Sequence, residues 1–364
     1  MTFREYYTST GEPENDRMVN MLENVCKAGK KEPLRIEGEV NEVNQKEIER
    51  VKNAMDSIDF EMLRELLDDM ARRSGLSGEA LNFLGKDRII LSTEQLNENV
   101  IRKGQYGLFE NVIRIFPQGI VLALRDNIAS ELVKKMENSP NKTASMSLKE
   151  INITEERLKL KVLKSVIHEQ VHALSFTKIV TKYTEGSLRR FIRRIRGKNN
   201  FEGFYSVLSG YNKIFFDEDL EGMPSPNKDF IAFDEGVTEK IAFEILNKYL
   251  SVEGSDMPAA QVNELEENTK KETTYGLCLD LVDDVIRRVA KQSGFSEDSV
   301  WQAIKRSKLE GVNFEDTEIG AFFDESTYKG FFEKLRKLQT SDSKDIEHVQ
   351  TCLRELDDDY VPKK

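Results

Sequence analysis

Ser165-Val166-Ile167-His168-Glu169-Gln170-Val171-His172-Ala173-Leu174 decides how this chain is read. It holds two of the three histidines in 364 residues, four positions apart. On an α-helix, positions i and i+4 share a face one turn apart, so both imidazoles can reach one metal ion. Glu169 is turned about 100° around the helix. From there it need not be a ligand and can serve as general base toward a metal-activated water. The pattern is H-E-x-x-H, in which two histidines bind zinc. Gln170, Val171, Ala173 and Leu174 are uncharged and include no proline, as a buried helix requires.

Upstream, Thr154 is a good N-cap, followed by Glu155 and Glu156 in the first turn. The spacing predicts a helix from there to about Phe176. With His168 set at zero, Leu160, Leu163, Ile167, Val171 and Leu174 gather on one side, and Val162 and Val166 fall opposite. The histidines occupy the remaining sector with Lys161, Lys164, Ser165 and Ser175. That sector reads as a polar strip open to a cleft.

Working outward, apolar residues recur at three- and four-residue steps from Val43 to Arg73, and Ser77–Leu81 opens another short helix. Arg88–Ser92, Asn111–Phe116 and Ser147–Ile153 are short, β-branched and partly alternating, as strands are. Ile120–Met136 between them reads as a helix stopped by Asn138-Ser139-Pro140. Phe204–Phe216 reads as strands around Ser209-Gly210, and a helix runs from Asp234 to about Leu250. Tyr275–Lys291, Ser296–Lys308 and Asp316–Leu338 read as helices. The expected organisation is a flexible tail over 1–40 with one short helix near Arg17–Lys27, a domain over 41–250, and a helical region over 251–364.

Composition narrows the function classes. A formal net charge of −11 argues against a general nucleic-acid binder and against attraction to anionic lipid. Cys26, Cys278 and Cys352 are odd in number and far apart, which suits a reducing compartment better than a disulfide framework. The first residues carry no apolar signal segment, and no apolar run approaches the ~20 residues that cross a bilayer. The expectation is a cytoplasmic protein with no membrane and no nucleic-acid partner.

Two histidines leave a catalytic zinc site incomplete, since such sites have three protein ligands, often His₂Glu. The best candidate for the third is Glu235, in Asp234-Glu235-Gly236-Val237-Thr238-Glu239. Glu235 and Glu239 are also i and i+4. One can bind the metal while the other hydrogen-bonds the free ring N–H of a ligand histidine.

His168-Glu169-x-x-His172 followed by (Asn/Asp)-Glu-x-x-x-(Asp/Glu) resembles the gluzincin metallopeptidases, whose thermolysin-like members carry Asn-Glu-x-x-x-Asp. The resemblance implies Glu235 as third ligand and Glu239 as the carboxylate orienting a histidine. It also implies an α+β zincin-like core, a small mixed sheet packed on the H-E-x-x-H helix, with a mostly helical C-terminal region. It implies one Zn²⁺ and hydrolysis of a peptide or protein substrate, with Glu169 as general base. The spacing from His172 to Glu235 is longer than in thermolysin-like enzymes, so an insertion must loop out between the two helices. No third histidine follows the motif, which argues against a metzincin. His348, in a polar helical tail, reads as a surface residue, so the gluzincin transition-state histidine has no counterpart. Tyr205, Tyr211 and Tyr275 are the candidates to replace it.

Arg189-Arg190-Phe191-Ile192-Arg193-Arg194-Ile195-Arg196 reads first as a solvated helix face, with a lid or exosite for acidic substrates as its functional version. The competing reading of the whole chain is a zincin-fold regulatory or binding protein that holds zinc with little or no turnover.

Overall fold

A computed structural model describes residues 34–76, 82–93, 101–107, 111–137, 152–175, 177–182, 204–217, 227–252, 274–310, 331–340 and 343–355. The short helices read at 17–27 and 77–81, the arginine run 189–196, most of the strand read at 147–153 and the segment 316–330 lie outside those residues.

The architecture is mixed α+β and mostly helical. Strands β1 (Arg35–Glu37), β2 (Ile89–Ser92), β3 (Gly104–Gly107) and β4 (Val112–Ile115) form one sheet in the order β1-β2-β4-β3. The first three in that order are parallel, and β3 returns antiparallel to β4 with Tyr106 opposite Ile113. β2 and β4 are the strands the β-branched runs predict. β1 falls in the stretch read as a loose tail, and β3 was not anticipated. Of helices α1 (Glu42–Asp56), α2 (Phe60–Arg73), α3 (Pro117–Glu137) and α4 (Glu155–Leu174), α4 lies against β3 and β4, and α1 and α3 pack on α4 and on each other.

Helix α4 begins where its caps require. The Thr154 side chain accepts the Arg157 N–H at 3.3 Å, and Glu155 and Glu156 sit at the positive end of the dipole. The helix is then buried nearly all round. Leu158, Val162, Val166, Ile167 and Val171 are fully enclosed, each contributing about 1.5–3 kcal/mol of transfer free energy. Lys161, Lys164, Ser165 and Glu169 are buried too. The strip expected to face an open cleft is covered instead, and its charges need partners inside the protein.

After α4 comes an antiparallel meander, β5 (Thr177–Lys182), β6 (Phe204–Ser209), β7 (Asn212–Asp217) and β8 (Asn227–Asp229). It fills the long spacing between the histidines and Glu235. β6 and β7 are joined by a two-residue turn whose Gly210 has φ +59°, a conformation that glycine adopts without strain.

Helix α5 (Ile231–Val252) follows β8 and packs along α4. Its first turn is held by the C-terminal part of the chain: Phe230 N–H donates to Arg336 O at 2.7 Å and Ala232 N–H to Leu338 O at 3.3 Å. Arg336 also pairs with Asp229 at 2.8 Å. Helices α6 (Thr274–Ser293), α7 (Glu297–Glu310), α8 (Phe331–Lys337) and α9 (Ser343–Glu355) complete the described chain. One apolar cluster runs unbroken from Ile48 through α4 and α5 to Leu353. No helix among the described residues is long and apolar enough to cross a membrane.

α5 and α6 approach each other closely. A Cβ at Gly236 would lie 2.3 Å from the Cys278 carbonyl oxygen and 2.7 Å from its carbon, both backbone atoms that cannot rotate away. Gly236→Ala is therefore expected to destabilise the fold by about 1–3 kcal/mol, as overpacking does. Urea unfolding followed by circular dichroism checks this, with the midpoint lowered and the slope unchanged.

Candidate metal centre

Three ligand atoms meet where α4 crosses α5. His168 Nε2 and His172 Nε2 are 3.3 Å apart, and Glu235 Oε2 lies 3.3 Å from the first and 3.5 Å from the second. These three residues could hold a metal ion. Tetrahedral bonds of about 2.0–2.1 Å place neighbouring ligand atoms about 3.3 Å apart, close to all three separations. Glu235 Oε2 is buried and makes no hydrogen bond. An acceptor left bare in this way is costly unless a cation takes it up.

The remaining ring nitrogens select the tautomer. His168 Nδ1 lies 2.8 Å from Glu239 Oε2, so Nδ1–H donates there and the Nε2 lone pair is left for a metal. His172 Nδ1 faces Asp234 Oδ2 at 3.8 Å. Glu239 is held in turn by Lys164 Nζ on its other oxygen. Thus α4 supplies Lys164, His168 and His172 at four-residue steps, and α5 answers with Glu239, Glu235 and Asp234.

The electrostatics follow from this convergence. Burial alone would lower the His168 pKa, but the Glu235 carboxylate beside its Nε2, its hydrogen bond to Glu239 and the charge of Glu169 raise it to about 9. Burial opposes ionisation of Glu239, yet Lys164 and the bond to His168 hold it well below the usual carboxylate range. Glu235 is lowered against the same opposition by His172 and His168. The seam between α4 and α5 draws positive charge to the point where the three ligand atoms meet.

Glu169 points to the other side of that point, along β3. The Tyr106 backbone N–H donates to its carboxylate. A Cβ at Gly104 would sit 2.7 Å from Glu169 Oε1 and 2.8 Å from its Cγ, so the bare glycine backbone is what admits the side chain. Burial raises the Glu169 pKa, with His168 and His172 pulling the other way. The neighbouring Gln170 locks the same face of α4: Leu84 N–H donates to its Oε1 at 3.1 Å while its amide donates to Leu84 O.

The three tyrosines separate. Tyr211 is buried, donates its hydroxyl to Ile304 O at 2.8 Å and packs edge-on against Phe233, so it is part of the core. Tyr205 falls in β6, whose side chains lie outside the described residues. Tyr275, in the first turn of α6, stands edge-on to His168 with centroids 5.9 Å apart and is 36% exposed. The Glu235 carboxylate, then burial, then Glu169 push its pKa well above that of a free phenol, so the hydroxyl keeps its proton. His348 is exposed on α9, with Cys352 Sγ 3.9 Å from its Nε2. Sequence reasoning missed Lys164, Gly104 and the Asp234 contact to His172. Only Lys164 carried a signal, as a lysine one turn before His168 on the polar strip of the helix.

Comparison with protein-family models, with curated protein sequences and with solved structures found no match to this chain.

The geometry ranks the two α5 glutamates. Glu235→Gln is expected to abolish stoichiometric metal binding, and Glu239→Gln to weaken it about 10–100-fold, as outer-shell changes do. Titration of the purified protein against a chromogenic zinc chelator measures both, and the reverse ranking would exchange their roles.

Proposed function

We propose that this chain is a zinc-dependent peptide hydrolase with a zincin-like core of the gluzincin type. The observation that carries the reading is the His168, His172 and Glu235 triangle at tetrahedral separations, with Glu169 seated beside it. The donor set, two imidazole nitrogens and one carboxylate oxygen, suits zinc and not a hard cation such as calcium. Zinc in such a site supplies Lewis acidity, polarising a scissile carbonyl and lowering the pKa of water.

The protein's own groups then divide the remaining work. Glu169 accepts the proton of the attacking water on its carboxylate and returns it to the leaving amine. Gly104 and the Tyr106 N–H hold that carboxylate in place. Tyr275 offers a protonated hydroxyl at the exposed side of His168, where it can donate to the oxyanion that forms. β3 pairs with β4 on one side only among the described residues. Its other edge, which runs past Glu169 and carries the Tyr106 N–H bonded to that carboxylate, can take an extended peptide as an added strand. The substrate is accordingly a peptide or an extended protein segment. Cys278 and Cys352 are both free thiols, which suits the cytoplasmic setting expected from cysteine usage.

The decisive comparison is zinc-loaded wild type against Glu169→Gln on a proteome-derived peptide library, read by mass spectrometry. Wild type should cleave and the variant should not, with zinc content equal in both. Absence of cleavage by a zinc-replete wild type would favour the competing reading, a metal-holding regulatory protein. Tyr275→Phe is expected to lower kcat about 10²–10³-fold with little change in KM, since its hydroxyl acts on charge present only in the transition state.

A further inference from the structure

Beyond the ligands, the centre contains two buried lysines that hydrolysis does not require. Lys164 is 6% exposed and Lys308 is fully enclosed. Each occupies one oxygen of a carboxylate whose other oxygen faces a histidine Nδ1. Lys164 holds Glu239, which faces His168. Lys308 Nζ holds Asp234 Oδ1 at 2.5 Å, and Asp234 Oδ2 faces His172. Two lysine–carboxylate–imidazole chains therefore end on the same point from two directions.

The second chain is assembled from three separate elements. Lys308 comes from α7 and Asp234 from α5. The Tyr211 N–H from the β6–β7 turn adds a second bond to Asp234 Oδ1 at 2.8 Å. A Cβ at Gly210 would lie 2.6 Å from that oxygen and 2.9 Å from Lys308 Nζ, so the turn is pressed onto the pair. A buried ion pair in so tight a place is not an efficient route to stability, because desolvation offsets most of its attraction. Its worth must lie in what it positions.

We propose that Lys308 and Lys164 are positioning residues of the metal centre, Lys164 fixing through Glu239 the orientation and tautomer of His168, and Lys308 holding Asp234 in place against His172. The inference rests on the metal reading above and makes α7 and the β6–β7 turn integral parts of the site. Arginine does not replace Lys308, because Gly210 and Asp234 already close on its ammonium.

The test compares Lys308→Met, Asp234→Asn and the double variant in the full-length protein, using zinc affinity by chelator competition, the visible spectrum of the Co²⁺ form, and thermal unfolding. Lys308→Met alone leaves Asp234 buried and unpaired, and should melt about 10 °C lower. The double variant removes both charges and should recover most of that loss. It should nevertheless bind zinc about 10–100-fold more weakly than wild type and shift the Co²⁺ bands. A double variant that regains wild-type zinc affinity and spectrum overturns the inference while leaving the metal reading intact. A wild-type protein that binds no zinc overturns both.

Discussion

Charge buried along the seam between α4 and α5 is the constraint from which the rest of the molecule follows. Ionised groups removed from water must be paired, and each must have its remaining hydrogen-bonding capacity met. Glu239 is answered by Lys164 and His168, Asp234 by Lys308, Tyr211 N–H and His172. Glu235 keeps a buried oxygen without a hydrogen bond, and that oxygen lies beside the Nε2 atoms of both histidines. The seam is closed everywhere except at the one place that suits a cation.

That constraint explains the layout of the surrounding fold. α5 must lie close along α4 to bring its carboxylates within reach, and α6 can follow closely because Gly236 presents no side chain to Cys278. The small mixed sheet places β3 beside the exposed flank of the site, with Gly104 making room for Glu169. Rigidity on the far side comes from the Gln170 amide, which treats the Leu84 backbone as a strand neighbour would. Rigid elements around a ligand cluster keep its members within the narrow tolerances that metal geometry demands.

Much of this was legible in the chain itself where signals were local. The helix carrying His168 and His172 announces its start at Thr154 and its length by its apolar period. β2 and β4 are apolar and rich in branched residues. What escaped was set by distant partners. Gly104-Gln105-Tyr106-Gly107 has no branched residue and two glycines, and becomes a strand only because β4 lies beside it. Arg35-Ile36-Glu37 is three residues long and depends on β2 in the same way. Lys161 and Lys164 fall on the strip that the helical plot leaves open to a cleft, since lysines are usually exposed. The acid that holds Lys164 inside, Glu239, lies 75 residues further on, and the helical plot of α4 cannot contain it. Tyr275 could not be told from Tyr211 until their surroundings were known, because a hydroxyl on a core ring and one on a site ring leave the same letter in the sequence.

The long reach of these pairings bears on when the centre can exist during synthesis. Asp234 and Lys308 are separated by 74 residues, and the carbonyls that hold the start of α5 belong to Arg336 and Leu338, later still. At about 5–20 residues per second, the ribosome needs about 4–15 s to travel the 74 residues from Asp234 to Lys308. Throughout that interval α4 and the start of α5 have been made, while the lysine that neutralises Asp234 has not. The histidines and their glutamate are therefore translated well before the scaffold that aligns them. Any metal held in the arrangement described is taken up only after Lys308 and the residues around Arg336 and Leu338 have been made and packed.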